Sequence, residues 1–280
     1  MNVADRITTC NDGDNQGQSG RSAIIEQGAH FTTHMLGIIG GSGLSRLSNL
    51  AVTELRTVST PYGETSSPLA MGTLGRRDVV FVARHGMEHS IPPHRVNYRA
   101  NVKALQLAGV RTIVAVFAVG GIAAELGPGV LAVPDQIIDY TSDREHTYSD
   151  GSTGSVLHVD FTHPYTAPVR ARLIAAAQRA SIDVVPRGTY AVVNGPRLET
   201  AAEIDRLERD GATMVGMTGM PEASLARELG LNYAAIAVSV NHAAGRGNSA
   251  VEISLEAIQA TLDTSMARVR TLIEHWVELE

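Results

Sequence analysis

The chain has 280 residues, 44% hydrophobic and 19% charged, with a formal net charge of −6 and one cysteine. That length and apolar content suit a single large α/β core, and the intermingled charges leave no basic stripe for a nucleic-acid backbone. Cys10 alone makes neither an internal disulfide nor a thiolate metal site, no apolar run reaches the ~20 residues of a membrane span, and no secretory signal opens the chain, so the expected location is the cytoplasm.

Residues 1–34 are rich in Asn, Asp, Gly, Gln, Ser and Thr without apolar periodicity, so they read as a disordered extension or as sequence ahead of a start at Met35. From Met35 onward, short apolar runs alternate with amphipathic windows, the pattern of a mixed, largely parallel twisted sheet flanked by helices in one domain over 35–280. Strands are expected at 35–39, 79–83, 112–117, 130–133, 188–193, 213–217 and 233–240, and helices at 96–108, 165–180, 199–210, 221–229 and 253–277. Trp276 and the apolar stripe of the last helix read as core.

The first strand runs into Gly40, Gly41, Ser42 and Gly43, a turn whose N–H groups and hydroxyl can wrap an anion, or a plain strand-ending turn. The strand VVFVA then delivers Arg84 and His85, where Arg84 can hold phosphate bidentately and His85 can hydrogen-bond it; ordinary surface charge at a strand end is the alternative. TIVAVFA ends toward Gly120 and Gly121, where the Ala118 N–H is a donor and Gly120 lets a ligand approach the backbone. Later strands close in Asn194–Glu199 and Gly216–Thr218, so several strand ends can converge on one pocket. Asn241 follows the last strand, where its amide can face the edge of a heterocycle or cap a helix. His158, Asp160 and His163 have metal-ligand types but lack a third ligand at fixed spacing, so they read as solvated loop and no metal site is expected. Neither a GxSxG elbow nor an HExxH helix is present.

Together, GGSGL, ARHG with His89 and the following VNYRAN, VGGI, HTYSDG, NGPRLETAAE and VGMTGMPEASLARELGL resemble the trimeric purine nucleoside phosphorylases, and within them the methylthionucleoside branch. The motifs occur in the family's order from about residue 36 to the C-terminus. The resemblance implies a homotrimer that binds purine nucleoside and inorganic phosphate as co-substrates and needs no cofactor. Ser42, Arg84, His85, Ala118 and Thr218 match phosphate-binding positions, and Met217 matches the residue packing on the ribose. By the same resemblance His158 reaches into a neighbouring subunit's 5′ pocket, while Leu255 and Ile258 give that pocket apolar walls. Glu199 and Asn241 match the 6-oxopurine pattern, in which a carboxylate accepts from N1 and an amide serves O6 and N7; adenine-directed members carry two aspartates where this chain has Asn241 and Ala243. Phe117 departs from the Asn or Thr usual in relatives, and residues 1–34 have no counterpart.

The implied reaction is phosphorolysis of methylthioinosine to hypoxanthine and 5-methylthioribose 1-phosphate, with His85 and Asn241 as the catalytic pair. Methylthioadenosine phosphorolysis, a general inosine and guanosine phosphorylase using His158 or His242 at the 5′ hydroxyl, and a non-catalytic nucleoside-binding protein are the other readings.

Overall fold

In the computed structural model, residues 34–149, 151, 154 and 156–280 are described. The extension expected at 1–34 therefore lies outside the described residues except for His34, and with it the choice of start.

The central strands are β1 (Met35–Gly40), β4 (Arg77–Ala83), β5 (Val110–Gly121) and β11 (Asn232–His242), joined as β4–β1–β5–β11 in parallel register. Their nearly unbroken apolar runs are what a sheet covered on both faces requires. One face packs on α1 (Tyr98–Leu107) and α4 (Glu222–Glu228), through Val102, Leu105, Leu225 and the β5 residues Ala115, Phe117 and Val119. The other packs on α2 (Ala167–Arg179) and α5 (Leu255–Leu279), through Leu173, Leu262, Trp276 and the alternate β5 residues Val114 and Val116. The strand period of two thus divides β5 between two cores.

Four strands fell outside the sequence expectation. The edge strands β2 (Ala51–Arg56) and β3 (Leu69–Leu74) add on as antiparallel ribbons beside β4. All six residues of β2 are exposed, so it carries no apolar alternation to betray it. At the opposite edge, β7 (Gln136–Asp139) runs parallel to β9 (Thr189–Val192); on a separate branch beyond β11, β6 (Leu131–Ala132) is flanked by β8 (Val184–Val185), only two residues long.

Helix boundaries moved inward where a side chain caps the first turn. Thr200 and Glu203 form a capping box that opens α3 (Ala201–Arg209), so Glu199 lies outside the helix expected to contain it. Asn97 caps α1 and Ser254 caps α5, in each case by accepting an N–H three residues on.

The position of the site follows from the two edges of β5. One edge is paired with β11 as far as Gly121. On the other, β1 accompanies β5 only to Ala115, and β10 (Met214–Gly216) arrives antiparallel at Gly120 and Gly121. Between them this edge of β5 has no strand partner among the described residues, and β1 and β10 point their carboxyl ends at this gap from opposite directions. β5 is accordingly longer than the expected 112–117: it passes beneath the site instead of ending there.

Candidate active site

A cavity of about 490 Å³ opens over the gap. Ser42, Arg84, His85, Ala118, Gly120, Met217, Thr218, Glu199, Asn241, Leu255 and Ile258 all line it. His158 does not: it lies exposed in an irregular segment and is absent from the cavity wall of its own chain. His242 is likewise outside the lining, its Nδ1 2.7 Å from Asn248 Oδ1.

At one end stands Arg84, fully buried. Its Nε and Nη2 donate to the two oxygens of Glu222 at 2.7 and 2.9 Å, and Nη1 donates to Val116 O at 3.1 Å. The Nε–Nη2 edge expected to grip an anion bidentately is therefore committed to Glu222. Only the remaining N–H groups of Nη1 and Nη2 are left for a ligand. Burial alone would lower the guanidinium pKa, but the Glu222 carboxylate outweighs it and the net shift is upward, so the charge is permanent. Tyr233 donates a third hydrogen bond to this pair, at 2.7 Å to Glu222 Oε1. Phe117 lies under the guanidinium, 5.3 Å from its ring centre, and is not part of the cavity wall. Gly41 closes the other side: a β-carbon there would fall 2.5 Å from Val116 O and 2.9 Å from Arg84 Nη1.

His85 lies beside Arg84 with Nδ1 2.8 Å from Ile91 O. A carbonyl can only accept, so Nδ1 carries the hydrogen and Nε2 presents a lone pair. Burial, reinforced by the Arg84 charge, lowers the pKa of His85 to about 4, so the ring is neutral at physiological pH. His85 is an acceptor in a cradle otherwise made of donors. His89 stacks obliquely on it with ring centres 4.7 Å apart, and its Nε2 is 3.4 Å from Ser42 Oγ.

Past Ala115 the β5 backbone turns its free edge to the gap. Val116 O points that way to meet Arg84, and strand alternation sends the Ala118 N–H to the same side. Thr218, buried just beyond β10, is held by its N–H donating to Tyr190 Oη at 3.3 Å.

Glu199, in the stretch that follows β9, and Asn241 line the same cavity. Glu199 Oε1 is buried with no hydrogen-bond partner, and burial raises the pKa of the carboxyl. Asn241 lies within β11, which excludes the helix-cap reading. The register against β5 jumps there, from Ser239 opposite Val119 to Asn241 opposite Gly120. This bulge at Val240 re-aims the strand at the site. Asn241 Nδ2 donates to His242 O at 2.6 Å, which settles the amide orientation and leaves Oδ1 and one N–H for a ligand. Ala243, two residues on, is closed off in an apolar cluster with Ile122, Ile204 and Val215.

Leu255, Ile258 and Leu262 project from one face of α5 over the cavity. Leu262, Glu222, Tyr233 and Arg144 had no site role in the sequence reading. Glu222 sits in the VGMTGMPEAS run, but an acid in a first helical turn reads as favourable helix-end charge, which hides its reach to Arg84. Among the described residues, no group of three or more His, Cys, Asp or Glu is placed to hold a metal ion.

The family model of the Phosphorylase superfamily matches residues 35–278. A probable S-methyl-5'-thioinosine phosphorylase of Xanthomonas campestris pv. campestris is 48% identical over 238 residues, covering 85% of this chain and 95% of the relative. The 6-oxopurine nucleoside phosphorylase of Pyrococcus furiosus is 47% identical over 215 residues, or 75% of this chain and 80% of that one. Among solved structures, methylthioadenosine phosphorylase from Schistosoma mansoni in complex with adenine superposes with a TM-score of 0.84 at 34% identity, over 88% of this chain and 91% of that one. The strand gap, the cavity built over it and these matches agree: the chain belongs to the Phosphorylase superfamily.

Proposed function

We propose that the protein cleaves the glycosidic bond of methylthioinosine with inorganic phosphate, releasing hypoxanthine and 5-methylthioribose 1-phosphate. The observation that carries this reading is the lining of one cavity, which brings together donors beside Arg84, the carboxyl of Glu199 with the amide of Asn241, and an apolar wall from α5. Its volume of about 490 Å³ is within the range of small-molecule sites.

Phosphate binds in the gap of β5, with Arg84, the Ser42 and Thr218 hydroxyls and the Ala118 N–H as donors. His85 Nε2 accepts a hydrogen bond from the hydroxyl of a singly protonated phosphate. As the bond to the base lengthens, the ribosyl group gains oxocarbenium character and phosphate oxygen closes on C1′ from the opposite side, so the cradle supplies orientation and charge stabilisation. The proton leaving phosphate ends on the purine, which departs as neutral hypoxanthine. Asn241 stabilises negative charge developing on the ring, an interaction stronger in the transition state than in the substrate. Glu199 Oε1 accepts a hydrogen bond from the N1–H of the base, and Met217 packs on the sugar. Phosphate is a co-substrate, and neither cofactor nor metal is invoked.

We place the enzyme in the cytoplasm as a homotrimer, with His158 contributed to a neighbour's 5′ pocket. The exposure of His158, Val156 and Leu157 supports the His158 assignment, and the apolar α5 lining at Leu255, Ile258 and Leu262 supports a methylthio group in that pocket. The Xanthomonas and Pyrococcus relatives are both named for 6-oxopurine nucleosides and so support the base assignment.

The deciding experiment is kcat/KM for methylthioinosine, inosine and methylthioadenosine, each with and without phosphate. Phosphate-dependent preference for methylthioinosine is the expected result. Preference for methylthioadenosine would overturn the base assignment, and preference for inosine the 5′ assignment.

A further inference from the structure

We propose that Arg144 is a positioning residue that couples the phosphate end of the site to the base end; the inference rests on the phosphorolysis reading above. Arg144 follows β7 and is buried. Its Nη1 donates to Met217 O at 2.9 Å, to Met220 O at 2.6 Å and to Tyr98 Oη at 3.3 Å, while Nη2 donates to Val193 O at 3.3 Å and Asn194 O at 3.1 Å. Four backbone carbonyls thus surround its two terminal nitrogens, while the buried Nε has no hydrogen-bond partner.

Those carbonyls belong to two different segments. Val193 and Asn194 lead from β9 into the stretch that carries Leu198 and Glu199 to the base end. Met217 and Met220 flank Thr218, the donor at the phosphate end. One rigid planar cation thus ties together the two walls that close on the two substrates. A guanidinium spans both because its donors diverge in a fixed fork; a lysine ammonium is a point charge and cannot hold both sets of carbonyls at once. A ligand that pulls on Thr218 therefore shifts Val193 and Asn194 through the same group, and occupancy of one end favours occupancy of the other.

Calorimetric titration of hypoxanthine, with and without saturating inorganic phosphate, tests this on the wild type, Arg144→Lys and Arg144→Met. Phosphate should tighten hypoxanthine binding about fivefold or more in the wild type. In both variants that gain should fall below about twofold, with KM rising for both substrates. A purely structural role would lower the melting temperature and the active fraction while leaving the gain intact, and that result would overturn the proposal. In the unmodified protein, phosphate alone should slow amide exchange in 193–199 as well as in 217–220; protection confined to 217–220 would also overturn it. Absence of phosphate-dependent cleavage in the wild type would sink the phosphorolysis reading itself and is seen separately, in the activity assay.

Discussion

Arg84 and Glu222, 138 residues apart in the chain, meet in a two-pronged ion pair with neither side chain exposed, Nε to Oε2 at 2.7 Å and Nη2 to Oε1 at 2.9 Å. The pair holds the guanidinium rigid and offsets much of its charge. Breaking such a pair by removing one partner strands the other charge in a dry interior. Arg84→Met should destabilise the protein by about 3–5 kcal/mol, and Arg84→Met with Glu222→Leu should recover most of that loss without restoring activity. Chemical denaturation of the three proteins checks it; equal stability of the single and double variants would contradict the burial argument.

The His85 pKa of about 4 predicts a pH signature in stability. Its folded value is depressed below the ordinary ~6.5, so between those values the unfolded chain binds the extra proton. The contribution of His85 is complete above pH ~6.5, declines as pH falls through that window, and is lost below about 4. The full effect is on the order of 3 kcal/mol. Unfolding free energy measured from pH 7 to 4.5 should fall less steeply in His85→Asn than in the wild type, and parallel slopes would refute the assignment.

Asn241→Asp replaces a group that donates and accepts with an acceptor, so the ratio of kcat/KM for methylthioadenosine over methylthioinosine should rise at least about tenfold. Adding Ala243→Asp places a second carboxylate in the apolar cluster of Ile122, Ile204 and Val215. The double variant should therefore melt several degrees lower than the single one, about 1–3 kcal/mol in stability. Steady-state kinetics paired with thermal melts read both effects, and an unchanged ratio in the single variant would show that Asn241 does not choose the base.

Ile258 lines the cavity from α5 beside Leu255 and Leu262. Ile258→Ser removes apolar contact and adds a hydroxyl, so discrimination against inosine relative to methylthioinosine should shrink about tenfold, with kcat for inosine less affected than KM. Competition between the two nucleosides in one reaction measures this directly; unaltered discrimination would move the 5′ end away from α5.

Much of the cavity lining was legible in the sequence, because the residues that form it stand in short strings next to strand ends: Ser42 after Gly41, Arg84 with His85, Met217 with Thr218, Asn241 at the end of an apolar run. Periodicity of apolar residues reports which face of an element is buried, so the core strands and the five α-helices among the described residues were recognisable within a few residues at their ends. Where caps decided the ends, at Asn97, Thr200 and Ser254, the correction was small.

The tertiary structure alone decided the rest. No local pattern reveals that β1 leaves β5 at Ala115 and β10 takes up the same edge at Gly120, because strand neighbours are chosen by how distant segments close on one another. The same holds for Glu222 taking the edge of Arg84 expected to hold the anion, and for Arg144 meeting carbonyls from two separate turns. The exposed ribbon β2 is a strand because β3 pairs with it, not because its residues demand one. Side-chain type and short spacing are written along the chain, whereas a partner more than a hundred residues away is selected only when the two cores form and bring it within hydrogen-bond reach.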